Sequence, residues 1–209
     1  MPAMDAGGME TFVMNVYRTI DREHVQFDFL YHYDKPCFFD DEIQALGGRG
    51  WEVLPALSWA AARQDTRFGT AESWRRQLTE LTGHAPIDTL QQAEPLGPRR
   101  MACAMVVAPC TGTTLAKLDL GLSDTPVTMA AKSLLRRGLP VVVAPSTNDG
   151  LGASAAHIAA LLQRKHFYFV PFGQDDSIHK PNSLKSDMTL IPDTLDCACR
   201  GIQLQPLLL

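Results

Sequence analysis

The stretch VVAPCTGTTLAKLDLGLSD, residues 106–124, decides how this chain folds. Its valines close an apolar run over 102–108 with no polar alternation, the pattern of a central strand covered on both faces. Pro109 ends the run, Thr111, Gly112, Thr113 and Thr114 make a polar loop, and helical spacing resumes around Lys117. Strand, polar loop and helix in that order are one unit of a parallel sheet, and ligands of such sheets sit beyond the carboxyl ends of the strands. Gly112 lets backbone approach a ligand, and the hydroxyls with the open helix amides supply donors for an anion or a polar ring edge. Lys117 lies one turn inside the helix, where a solvated lysine and an anion partner are equally well placed.

The same unit recurs downstream. VVVAPSTNDGLG, residues 141–152, carries Ser146, Thr147, Asn148 and Asp149 at the end of a second two-faced apolar run. It reads either as an Asx turn capping the next helix or as a second wall of a binding site, and two such loops on consecutive strands point to a shared pocket. Further strands are expected over 25–32, 51–57 and 166–170. Helices are expected over 10–20, 40–46, 70–82, 127–137, 153–163 and 193–199. Thr125 and Pro126 serve as N-cap and first-turn proline for the helix that Gly138 follows. The loop 58–69 completes a set of three polar strand exits. The expected fold is a three-layer α/β, Rossmann- or flavodoxin-like parallel sheet with helices on both faces.

FVPFGQDDSIHKPNSLKSD, residues 169–187, reads as a polar loop. Asp175 and Asp176 are a solvated pair or an acid–base pair, and Lys180 with Asn182 offers a grip on a carboxylate. The six histidines are scattered and form no nucleophilic arrangement. Cys110, at a helix entrance, is either a packed thiol or one with a lowered pKa.

Composition bounds the rest. With 209 residues and 45% apolar content, the chain can bury roughly 70% of its unfolded surface without staples. A net charge of −4 argues against nucleic acid, and no basic run suggests an anionic membrane. Five cysteines without a disulfide framework or zinc spacing imply reduced thiols in a cytoplasmic protein with no metal. Neither a membrane span nor a signal peptide is expected.

From Gly50 onward the sequence resembles the B subunits of bacterial dipicolinate synthase. The stretches that carry this are TRFGTAESW, IDTLQQAEPLGP, VVAPCTGTTLAKL, SDTPVTMAAK, STNDGLG, FVPFGQDD, KPNSL and QLQP, all in order. That family is similar to the FMN-binding flavoproteins that include phosphopantothenoylcysteine decarboxylases. The resemblance implies FMN contacts from Ser58, Pro109, Thr111, Gly112, Thr113, Thr114 and Asp124. It implies a small dicarboxylate substrate near Ser146, Thr147, Asn148, Asp149, Lys180 and Asn182. It also implies a homo-oligomer and a dehydrogenase-like A subunit, through which alone NAD(P) would enter. Together the subunits would convert a dihydrodipicolinate precursor to dipicolinate in sporulating bacteria.

Three positions depart from that pattern. Thr113 replaces an asparagine, Asp119-Leu120 replaces Ala-Asn, and the opening strand with its glycine-rich phosphate loop is missing. Residues 7–48, with GGMETFVMNVYRTIDREHVQFDFLYHY and FFDDEIQALGGR, instead resemble the N-terminal region of GT-B glycosyltransferases. The chain therefore reads as a chimera, a glycosyltransferase-like fragment over 1–49 and a flavoprotein domain over 50–209. The 25–32 strand would fill the vacant first position, and YHYDKPCFF with Asp34 would make a poor phosphate loop. Three functions follow: a flavoprotein oxidoreductase subunit, a flavin-free partner-binding subunit, or a glycosyltransferase fragment.

Overall fold

The computed structural model describes residues 24–25, 40–65 and 69–209. The expected helix 10–20, most of the 25–32 strand and the 31–39 loop lie outside the described residues, as does most of the 1–49 segment.

The first described strand, β1 (His24–Val25), pairs in parallel with β2 (Glu52–Val53), and α1 (Asp40–Gly48) connects to β2. Strand β3 (Met105–Cys110) lies parallel to β4 (Val141–Thr147), with Met105 opposite Val141 and Val107 opposite Val143. On its other side β4 pairs in parallel with β5 (Phe167–Phe169). Among the described residues these parallel pairings form two sets, β1 with β2, and β3 with β4 and β5.

Every residue of β3 is buried, and Val141, Val142, Val143 and Ala144 have no exposed surface, as the two-faced apolar pattern requires. Helices α5 (Gly112–Leu120), α6 (Pro126–Leu135) and α7 (Ser154–Leu162) pack together, with α5 against both others. The last helix, α8 (Ile191–Cys199), packs on α1, and α5, α6 and α8 all reach β4. The architecture is the expected α/β sheet flanked by helices.

The sheet is not wholly parallel. The segment expected as a loop over 169–187 forms a hairpin of β6 (Phe172–Asp176) and β7 (Lys180–Ser186). Strand β7 runs antiparallel to the end of β4, with Ser146 opposite Lys185 and Thr147 opposite Leu184. β5 stops at Phe169, and β7 supplies backbone partners to the last residues of β4. The chain end covers the outer edge of β6: Phe172 N–H donates to Leu207 O at 3.0 Å, and Leu209 N–H to Phe172 O at 3.1 Å.

Two short helices also escape the sequence pattern: α2 (Trp59–Arg63), inside the expected loop 58–69, and α4 (Leu90–Ala93), which leads into a 3-10 turn at Glu94–Leu96. The expected helix 70–82 is α3 (Ala71–Thr82), capped by the Thr70 hydroxyl, which accepts from Ser73 N–H at 3.1 Å. Arg49, just past α1, bridges to α8 through Asp193 at 2.8 Å and Asp196 at 3.0 Å. These contacts are half exposed, so they orient the junction more than they stabilise it.

Helix α6 begins with a capping box: Thr125 and Thr128 hydroxyls lie 2.8 Å apart, each also accepting the other residue's N–H, and Pro126 occupies the first turn. No helix among the described residues is long and apolar enough to cross a membrane. Thr125→Ala is expected to cost about 1 kcal/mol, seen as a fall of roughly 2–4 °C in thermal unfolding, while Thr125→Ser keeps the wild-type midpoint.

Candidate functional site

The exits of β3 and β4 meet. After the cis Ala108–Pro109 peptide, Thr111 caps α5, its hydroxyl accepting Thr114 N–H at 3.5 Å and lying 3.3 Å from the Thr114 hydroxyl. Thr114 is buried, whereas the Thr113 side chain faces outward. At the exit of β4, Asp149 Oδ1 accepts the Thr147 hydroxyl in a short hydrogen bond and the Ser154 hydroxyl at 2.8 Å. Asp149 O also accepts Gly152 N–H at 2.8 Å and Ser154 N–H at 3.2 Å, a main-chain turn, whereas α7 has Ala153 at its N-cap and no side-chain cap in place of the Asx cap expected there.

Gly112 fits against this cluster. A Cβ there would lie 2.4 Å from Ser154 Oγ, 2.8 Å from Asp149 Oδ1 and 3.0 Å from Thr147 Oγ1. The glycine therefore lets the first turn of α5 close on the polar loop of β4. Its neighbours hold Asp149 below the usual carboxylate range, the Thr147 hydroxyl contributing most, with Ser154, its own backbone and the nearby His157 adding to it against a cost of burial. Asp149 is thus an ionised acceptor at neutral pH.

The other expected site residues divide into three groups. Ser58 is 6% exposed and caps α2, accepting Ala61 N–H at 3.3 Å. Ser146, Asn148 and Asn182 stand near the Asp149 turn: Leu151 N–H donates to Asn182 O at 3.0 Å, tying β7 to the loop. Lys180 and Asp124 are engaged elsewhere. Lys180 pairs with Asp175 at 3.0 Å near the hairpin turn, beside a cavity of about 520 Å³ that Asp175, Asp176, Ile178 and Leu209 also line. Asp124, exposed between α5 and α6, pairs with Lys117 at 2.9 Å, which resolves that lysine as an ion-pair partner. Asp176 accepts His179 and Ile178 N–H, closing the hairpin turn. Cys110 is fully buried, and burial pushes its thiol up, so it packs and does not ionise.

Comparisons with known proteins agree with this fold. Residues 55–197 match the family described as Flavoprotein. The B subunit of dipicolinate synthase from Bacillus subtilis (strain 168) is 42% identical over 167 residues, 80% of this chain and 84% of that protein. The chain belongs to the family of dipicolinate synthase B subunits. A crystal structure of the dipicolinate synthase B subunit from Bacillus halodurans C superposes with a TM-score of 0.75 and 39% identity, over 81% of this chain and 87% of that one. The FMN-dependent cysteine decarboxylase SpaF shares the fold, with a TM-score of 0.53 and 21% identity over 77% of this chain and 91% of its own. A 49-residue stretch, 23% of the chain, is 53% identical to a putative glycosyltransferase, EpsF, of Bacillus subtilis (strain 168), and spans 13% of that protein.

Within this family member, Asp119 has a defined role in packing. Its carboxylate, 14% exposed, lies 2.8 Å from His157 Nδ1 and 3.0 Å from Arg164 Nη2, both reached from the α7 side. Ser154, His157 and Arg164 were not legible as site residues in the sequence. The only signal was the Asp119 departure itself, an acid where a small residue is expected.

Gly112→Ala is expected to push α5 off the Asp149 turn and to cost about 1–3 kcal/mol, read by urea unfolding. Because the folded carboxyl of Asp149 is held low, its contribution to stability is complete above its unfolded value of about 3.9 and is lost as pH falls through the folded value. Asp149→Asn therefore flattens the acid limb of the stability profile below the ordinary aspartate value of about 3.9, measured by urea unfolding at each pH.

Proposed function

We propose that this protein is a flavin-binding subunit that oxidises a dihydrodipicolinate precursor to dipicolinate together with a dehydrogenase-like A subunit in the cytoplasm of sporulating cells. The observation that carries the reading is the closure of the α5 amino end on the Asp149 turn, which lines two adjacent strand exits with donors and one ionised acceptor. Family membership and the FMN dependence of a protein with the same fold support the choice of cofactor.

The donor set suits the polar edge of a flavin ring. The Gly112 and Thr113 amides lie in the first helical turn, ahead of the Thr114 amide that Thr111 caps, and the Thr113 hydroxyl faces outward. In a flavodoxin-like 2-1-3-4-5 sheet, Ser58 at the second strand would stand two strand spacings, about 10 Å, from Thr111 at the third. That span is the length of a three-ring system lying across the strand ends. The phosphate is less well provided for among the described residues, because the nearest helix lysine, Lys117, is committed to Asp124.

Bound FMN would supply the hydride acceptor, and the protein would supply position and charge. Pro109, Thr111, Gly112, Thr113 and Thr114 would hold the ring, with Ser58 at its far side. Ser146, Asn148 and Asn182 would orient the dicarboxylate, and Asp149, which accepts a hydrogen bond from the Thr147 hydroxyl, would hold Thr147 and the turn in place. Lys180 would reach a substrate carboxylate only by exchanging it for Asp175. Leu120 and Leu122, 66% and 48% exposed at the carboxyl end of α5, would offer an apolar contact for a like subunit.

The test is the visible spectrum of the purified protein and an FMN titration followed by flavin fluorescence. A flavin band, or saturable quenching near one FMN per chain, is the expected result. Thr111→Ala should weaken FMN binding about tenfold, the equivalent of one lost charge-free hydrogen bond and cap. A colourless protein that ignores FMN would sink the flavin assignment and leave a partner-binding role.

A further inference from the structure

Asp119 lies in the last turn of α5, where the open carbonyls carry the negative end of the helix dipole and an acid is disfavoured. Among the described residues its ion-pair partners come from the α7 side. His157 Nδ1 lies 2.8 Å from Asp119 Oδ2, and Arg164 Nη2 lies 3.0 Å from Oδ1, so each carboxylate oxygen has its own partner. Arg164 Nη1 also donates to Leu118 O at 3.4 Å, covering an open carbonyl at the same helix end.

The opposite end of α5 is fixed by the same helix. Ser154 opens α7, donates to Asp149 Oδ1, and sits where a Cβ on Gly112 would fall. Ser154 and His157 are three residues apart and share one face of α7. His157 therefore lies one turn below the Asp149 cluster, near enough for its charge to act on that carboxylate. A short helix held at both ends by one neighbour can neither slide nor rotate. Released at its carboxyl end, the helix is free to tilt, and its first amides change direction relative to the Asp149 turn.

We propose that Asp119 is a positioning residue: through His157 and Arg164 it sets α5 against α7 and so fixes the distance between the first α5 amides and the Asp149 carboxylate. Its bearing on flavin binding rests on the function proposed above; the positioning itself does not. A solvated ion pair would hold a single partner loosely, whereas this carboxylate is largely buried, uses both oxygens and meets two cationic or ionisable groups from one side. Misplacement of a binding group on the order of 1 Å can cost about a hundredfold in rate, so a pivot of α5 is felt at its amino end.

The experiment compares the full-length wild type with Asp119→Ala and Asp119→Asn. Two readouts are taken: hydrogen exchange of the α5 amides by NMR, and the FMN dissociation constant by fluorescence, with thermal unfolding as the check on folding. In Asp119→Ala, the α5 amides should exchange about tenfold faster, and the FMN dissociation constant should rise about tenfold. Asp119→Asn, which keeps an oxygen for Arg164 and the same shape, should recover most of both. Wild-type exchange of the α5 amides in a folded Asp119→Ala protein overturns the proposal. So does an FMN affinity unchanged in that variant when the wild type binds FMN. If the wild type binds no FMN, the flavin assignment falls by itself, and α5 exchange still decides whether Asp119 positions the helix. Should Asp119→Ala fail to fold, His157→Ala takes its place, with faster α5 exchange supporting the proposal and wild-type exchange overturning it.

Discussion

Strand β4 is hydrogen-bonded along both edges and buried on both faces, and the rest of the molecule is arranged to permit that. Buried backbone groups that find no partner are costly, so a central strand dictates what lies beside it. The first half of β4 is satisfied by β3 on one side and β5 on the other. Where β5 ends, β7 arrives from the opposite direction and pairs with Ser146 and Thr147. The change of neighbour carries the strand past its helical cover and delivers Thr147, Asn148 and Asp149 to the sheet's carboxyl edge with their backbone already fixed.

The polar site is therefore a consequence of packing as much as of chemistry. Gly112 is required because the α5 turn and the Asp149 turn come within van der Waals distance, and any side chain there would enter the hydroxyl and carboxylate oxygens. The hydroxyls of Thr147 and Ser154 both point at one carboxylate oxygen, which keeps that carboxylate charged and immobile. The hydroxyl-rich composition that marks the two loops has in part this internal purpose. What faces outward is the remainder: the first α5 amides, Thr113 and Asn148.

Local signals were legible in the sequence and remote ones were not. The α6 boundaries follow from Thr125, Pro126 and Gly138, because caps depend on neighbours within four residues, and Gly138 does take the left-handed conformation. The buried strands follow from unbroken valine runs. The β6–β7 hairpin escaped because FGQDD and KPNSLKS are polar, contain a proline and show little alternation; one face of the ribbon is solvated and the pairing is set by β4. The short helix α2 escaped because five residues give no period. In the site, the loops were legible as polar strand exits, but Asp119 with His157 was not, since 38 residues separate them and only the α5–α7 packing joins them. Lys180 and Asp124 were legible as charges, though their partners Asp175 and Lys117 were not.

The last residues of the chain bear on a different property. A β-hairpin that projects from a sheet offers its outer strand as a template for a second molecule, and such edges seed fibrous association unless something occupies them. Here Leu207 and Leu209 engage Phe172 through the backbone, and Gly173 lets the tail lie close. The tail thus acts as a guard against self-templating, and the colloidal behaviour of the protein depends on its last residues, of which Leu207 also packs against the core.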